Sequence, residues 1–228
     1  MKLMHPVLSS PIVFSENRVQ VLTVENALLF RELVFELTTQ MEDGAGRFVL
    51  SQDDRLLDCG VCLHVISDYA HLSAVEKRIQ NKLIAVLLSE AREELAEDTK
   101  RFTIEVQRYL GKLAALADYP VTYEQSENLA EILKAMGFGV ELRGMSAHEA
   151  LYEYISLCHR VMKNPCFVLV HAKAFFSSDE LRQLYDMAGY RKWNLLLLES
   201  HQYSERLDGE EHRLIDDDLC ELMLDNQG

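Results

Sequence analysis

The chain has 228 residues, 48% of them hydrophobic, with only four prolines and ten glycines. That suits one large domain, or a domain carrying an insertion, and excludes a globally disordered or loop-rich chain. A formal net charge of −14 excludes general attraction to nucleic acid or anionic membranes, so any DNA contact needs basic groups gathered on one surface or acids masked by cations.

The opening MKLMHPVLSSPIVF reads as no signal peptide, because His5, Pro6 and two serines break its apolar run. No stretch reaches the roughly 18 apolar residues that a membrane span needs. A soluble, cytoplasmic protein with no membrane partner is expected. Ile12 and Phe14, then Val19, Val21 and Val24, predict two short strands around a turn at Ser15, Glu16 and Asn17. Asn26 caps a helix over 27–40, which Gly44 and Gly46 end. RFVLS and residues 61–66 predict further strands. Cys59 and Cys62 in this region form a CxxC to which His64 offers a third ligand. No second CxxC exists, and structural zinc wants four ligands, so two buried thiols are the plainer reading.

From Leu72 to about Ala117, apolar residues recur at threes and fours: Leu72, Val75, Ile79, Leu83, Val86 and Leu87. No proline falls between Pro11 and Pro120, and no glycine between Gly60 and Gly111. A long helix, polar on much of its surface, is expected here. SENLAEILKAMG predicts a second helix with Ser126 as cap and Gly137 as stop.

After residue 138 the pattern alternates. FGVEL reads as a strand, and Ser146 with Glu149 opens a helix through a capping box. CFVLVH is a strand, SSDELRQLYDMAGY a helix, and WNLLLLES a strand. This βαβαβ order, with continuously apolar strands, predicts a mostly parallel sheet covered on both faces. An edge strand follows Asp216, Asp217 and Asp218. Neither end of the chain alone supplies enough strands. The expected architecture is therefore an α/β head made of residues 1–67 and 137–228, with a helical unit, 68–136, inserted in it.

An apolar strand running into an acid, as LLLLE does at Glu199, is how nucleotide hydrolases present a magnesium ligand. The phosphate loop that goes with it, G-x-x-x-x-G-K-[ST], is absent, as is GxGxxG. Glu199 then reads as the solvated end of a strand. His171, Glu199 and His201 share the carboxyl rim of the sheet, which keeps a metal-dependent hydrolase as an alternative. Arg101, Arg108 and Lys112 form a stripe on the long helix, and Arg78 with Lys82 a shorter one. Glu97 and Glu105 share the first face, so a solvated, ion-paired surface is the plain reading. Asp118, Glu124, Glu127 and Glu131 cluster around the second helix. Oxygen ligands on a loop and helix suit calcium, and a solvated acidic face is the alternative.

The order NLAEILKAMGFGVEL, then KNPCFVLVHAKAFFSSDELRQLYDMAGYRKWNLLLLES, then RLIDDDLC resembles the Csn2 family of CRISPR-associated spacer-acquisition proteins of type II-A systems. PIVF…VQVLTVEN and VCLHVISDYAHLSAVEKRI fit the same pattern. The resemblance implies an α/β head like a nucleotide hydrolase with a degenerate phosphate loop, and an inserted α-helical leg. It implies a non-catalytic homotetrameric ring that binds the ends of double-stranded DNA without sequence preference. Calcium would support assembly, and the CRISPR integrase and effector nuclease would be partners. Lys134 in ILKAMG matches a lysine of the family motif and is the first DNA-facing candidate, followed by Lys112, Arg108, Arg101 and Lys82. Glu131 carries over best as a calcium ligand, ahead of Glu127, Glu124 and Asp118, because ADYPVTYEQSENLAEI is less acidic than the family pattern. A DNA-independent protein-interaction scaffold is the remaining alternative.

Overall fold

The computed structural model describes residues 1–72, 77–124 and 128–224. The chain divides into two compact units, Met1–Ala74 with Leu142–Gly228, and Val75–Glu141. The first unit opens with β1 (Lys2–Met4), β2 (Ile12–Val13), β3 (Val19–Val24), α1 (Ala27–Asp43), β4 (Val49–Gln52), β5 (Arg55–Leu57), the single turn α2 (Cys59–Cys62) and β6 (Leu63–Ile66). The second unit holds α3 (Lys77–Glu94), α4 (Ala96–Ala114) and α5 (Leu129–Ala135). The first unit then resumes with α6 (Ala147–Val161), β7 (Cys166–Val170), the short α7 (Ala172–Phe175), α8 (Ser178–Arg191), β8 (Asn194–Glu199), β9 (Glu210–Ile215) and β10 (Glu221–Leu224).

Six strands form the main sheet in the order β10-β9-β3-β8-β7-β6. All neighbours run parallel except the edge strand β10, which is antiparallel to β9. Strands β3 and β7 are buried along their whole length, and β8 at every position after Asn194. Burial on both faces is why they read as continuous apolar runs instead of alternating ones. The fold is thus mixed α/β with a mostly parallel sheet, as the sequence pattern predicts. A second, antiparallel sheet has the order β2-β1-β4-β5. The strands β2 and β3, which flank the expected turn, therefore belong to different sheets.

The expected strand FGVEL does not form. Gly137 takes a φ of 68° and ends α5, and Phe138 N donates back to Leu133 O at 2.9 Å. Phe138 O then accepts from Gln80 Nε2 at 3.1 Å, which ties the segment to α3. The neighbour of β7 is instead β6, supplied from before the inserted unit, with Leu63 opposite Cys166 and Ile66 opposite Leu169. The long helix is also interrupted. Helices α3 and α4 meet at Leu95, without glycine or proline. Glu90 and Glu94, Glu93 and Glu97, and Glu94 and Asp98 are like charges four residues apart around that point. Each such pair disfavours a continuous helix by a few tenths of a kcal/mol. Glu97 and Asp98 are instead favourable in the first turn of a new helix.

Side-chain caps fix the starts of α1, α6 and α8. Asn26 accepts from Leu29 N, and both Ser146–Glu149 and Ser177–Glu180 form complete capping boxes. The end of α1 is held by Gly44 at φ 76° and by the buried amide of Gln40. Gln40 Nε2 donates to Phe48 O at 2.7 Å, and its Oε1 accepts from Phe48 N at 3.0 Å. This pair of hydrogen bonds joins α1 to the entry of β4. Replacing it by an apolar isostere leaves two buried backbone groups unpaired, at about 1–3 kcal/mol each before relaxation. Gln40→Met is therefore expected to lower the denaturant midpoint by more than a single missing hydrogen bond would, with an unchanged m-value. Urea unfolding checks it.

Candidate functional site

The carboxyl ends of β3, β8 and β7 lie side by side, with Thr23 opposite Glu199 and Val170 opposite Leu198. Open parallel sheets bind ligands at this rim, where helix N-termini offer unpaired amides to anions. Here one amide at each of two helix starts is already engaged by a side chain. Strand β3 enters α1 through only Glu25 and Asn26, with no glycine. Asn26 Oδ1 takes the Leu29 amide at 3.0 Å, and Glu25 stands beside it, accepting from Gln202 Nε2 at 3.0 Å. At the next strand, His171 adopts a left-handed φ of 57° and starts α7. Glu199 Oε1 accepts from Lys173 N at 2.9 Å, so a carboxylate of the protein occupies that helical turn. A phosphate would meet capped amides and acids.

Glu199 is not the solvated strand end that the sequence suggests: it is completely buried. Burial pushes its pKa up to about 7, outweighing the Lys173 amide and charge that pull it down. Its Oε2 has no hydrogen-bond partner, and His171 Nδ1 stands 3.9 Å away. The second buried acid, Glu210, has the opposite fate. Burial alone would raise it, but His212 Nε2 at 2.7 Å, Lys173 Nζ at 2.7 Å and Tyr185 Oη at 2.7 Å hold it at about 2. Lys173 thus compensates the ionised Glu210, and Glu199 avoids a second buried charge by holding its proton. Sequence reasoning did not find this network, because Lys173, Tyr185, Glu210 and His212 come from three elements with no shared spacing.

His171 packs its ring against Phe30 at 4.7 Å, and His201 packs against Tyr203 at 4.4 Å. Among the described residues, no three His, Cys, Asp or Glu side chains are gathered to hold a metal ion. His171, Glu199 and His201 therefore do not converge into the ligand set that the hydrolase alternative needs. A ligating carboxylate must also be ionised, which the Glu199 environment opposes. The CxxC is equally unremarkable. Cys59 and Cys62 are buried thiols that donate to the carbonyls of Phe48 and Lys163 at 3.7 and 3.6 Å.

The basic and acidic candidates lie in the second unit. Arg101 pairs with Asp98 at 3.5 Å, Lys134 with Glu131 at 2.8 Å, and Arg108 with Glu105, each one helical turn away. These pairs are exposed and worth about 0–1 kcal/mol each, so they part readily for a competing anion. Lys82 on α3 and Lys112 on α4 have no ion pair among the described residues. Asp118 and Glu124 are exposed in the segment after α4, where Gln107 Nε2 donates to Glu124 O at 3.3 Å. Glu127 and the expected cap Ser126 lie outside the described residues. Helix α4 buries no residue and exposes Phe102, Ile104, Tyr109 and Leu113.

The two buried acids separate in pH. For Glu199 the folded pKa, about 7, lies above its ordinary value of 4.5, so the folded state binds more protons between those limits. Stability then falls as pH rises from about 4.5 to 7, by roughly 3 kcal/mol. For Glu210 the folded pKa, about 2, lies below 4.5, and its contribution is lost only as pH falls below that value. Glu199→Gln is expected to flatten the stability profile between pH 5 and 7 and to leave the acid limb unchanged. Denaturant unfolding at several pH values checks this, and an unaltered slope in the variant contradicts it.

A family model described as CRISPR-associated protein (Cas_Csn2) matches residues 40–219. The match starts within α1, takes in the whole second unit and the parallel strands β6, β7, β8 and β9, and ends in the turn before β10. It covers the ILKAMG segment, Glu199 and RLIDDDL. This chain belongs to the Cas_Csn2 family of CRISPR-associated proteins.

Proposed function

We propose that this protein is a non-catalytic homotetrameric ring that binds the ends of double-stranded DNA without sequence preference and supports spacer acquisition in CRISPR adaptive immunity. The family match carries the reading: membership implies a role in spacer acquisition, and the family is generally a non-catalytic adaptation protein. The rim geometry supports the same view. The first unit is read as a nucleotide-hydrolase-like head whose phosphate loop has degenerated, since Asn26 and Glu199 occupy the amides that a phosphate would use. Helices α3, α4 and α5 are the inserted leg.

Closure into a ring answers the charge problem. A chain with net charge −14 repels DNA as a whole, but several copies can bring few basic groups to one opening while their acids face outward. Lys112 and Lys82 rank first for that surface, because neither has an ion pair to give up among the described residues. Lys134, Arg108 and Arg101 must each exchange a carboxylate for a phosphate. Interactions of this kind read the backbone, not the bases. Calcium is proposed as a cofactor of assembly on the resemblance alone. The described acids form no chelating group within one chain. The partner Cas integrase and effector nuclease are proposed on the same ground.

A mobility-shift comparison of linear and closed-circular duplex tests the reading. Binding of the linear form with little of the circular form is expected. Equal binding to both, or none to either with calcium present, would contradict it. Removing one cation that neutralises a phosphate lowers the slope of log affinity against log salt by about 0.9. Lys112→Ala is therefore expected to weaken binding evenly across sequences and to make that slope shallower by about that amount.

A further inference from the structure

An open cavity of about 730 Å³ lies at the opposite, amino-terminal edge of the parallel sheet. Four neighbouring parallel strands are entered here through left-handed residues: Asn17 before β3, Asn164 before β7, Lys192 before β8 and Gly209 before β9. All four line the cavity, so one set of tight turns makes its floor. The volume falls in the range of about 300–1,000 Å³ typical of small-molecule sites.

The polar groups in its wall define the chemistry. Three lining residues hold a buried polar atom with no partner: Trp193 Nε1, Gln52 Oε1 and His159 Nδ1. A buried orphan of this kind costs about 1–3 kcal/mol, and native structures rarely keep three around one space. The indole nitrogen is a donor, the amide oxygen is an acceptor, and the neutral imidazole nitrogen serves as either. Burial, with the nearby Arg191 charge, holds His159 below its usual range and keeps it neutral. Trp193 is itself only 5% exposed, and it lines the cavity together with the buried Tyr185 and Phe14. The lining also carries Arg18, Lys163 and Lys192 against Glu16, Asp186 and Asp208. Three cations against three carboxylates select neither a phosphate nor a cation.

We infer that this cavity is a binding site for a small, planar, uncharged nitrogen heterocycle of the nucleobase or nucleoside class. Such a ligand lays its faces against Trp193 and presents adjacent donors and acceptors along its edge. The three orphan atoms have less than 1 Å² of solvent exposure each, so binding turns them toward the ligand and moves Trp193. The cavity's lining lies wholly in the first unit, whereas the DNA-end surface proposed above is assigned to the second.

Trp193 is the single tryptophan of the chain, so its emission reports the site directly. The full-length protein is titrated with adenosine, guanosine, cytidine and thymidine, with excitation at the red edge of the indole band. A saturable change with at least one nucleoside and none with ribose is expected. Gln52→Leu and His159→Leu are expected to bind that nucleoside roughly tenfold more weakly each. Because each removes an atom without a partner, neither should lower the melting temperature of the free protein. No saturable response to any nucleoside, an equal response to ribose, or wild-type affinity in both variants overturns the inference. The wild-type titration decides it even if a variant fails to fold.

Discussion

Strand β6 has to find β7 on the far side of the inserted helices, and the first unit depends on that pairing. Its register sets Leu63 against Cys166 and Val65 against Val168, both buried or half-buried in the same face. Tyr69, just past β6, secures the junction by donating to Val170 O at 2.9 Å from 101 residues away. Closing so long a loop is less costly than it looks, since each doubling of loop length adds only about 0.6 kcal/mol. The continuous apolar surfaces of β3, β7 and β8 outweigh that cost. An insertion is tolerated here because its ends leave and re-enter one covered sheet.

The same sheet explains what the head retains and what it lacks. A parallel sheet presents helix N-termini at its carboxyl rim, which is where nucleotide chemistry arises in such folds. In this protein Asn26 and Glu199 each accept from one amide of those termini. Glu199 is shaped by desolvation into an acid that keeps its proton near neutrality, while Glu210 stays ionised against Lys173. The rim is a structural polar core. In the proposed reading, interaction with an anionic polymer falls to basic groups on the second unit, of which Arg101, Arg108 and Lys134 are held in exposed ion pairs one helical turn long. Such pairs are weak enough to yield to phosphate.

Much of the fold was legible in the sequence where local chemistry decides it. Ser146–Glu149, Ser177–Glu180 and Asn26 announce their helices, and Gly44 and Gly137 end theirs through positive φ. Strands β7 and β8 are apolar throughout because both of their faces are covered. Long-range events were not legible. FGVEL has strand composition, but Gly137 and Gln80 use it as a connector. Strand β9, EEHRLI, hides behind its charges, since Glu210 and Arg213 are buried only because side chains elsewhere satisfy them. The state of Glu199 was misread for the same reason: what surrounds it comes from β7, α7 and the segment after β8. The orphan atoms of Gln52, His159 and Trp193 lie on three distant stretches and share no spacing. Ion pairing within α4 was readable in part: Glu105 takes Arg108, but Arg101 takes Asp98 instead of the expected Glu97.

In the proposed reading, scarce positive charge becomes a DNA-end site only through closure of several copies. Light scattering of the purified protein, with and without calcium and a short linear duplex, measures this most directly. Each chain weighs 26.2 kDa. A particle of four chains that takes up linear duplex is the expected result. A single chain at every concentration, unchanged by calcium or DNA, would contradict it.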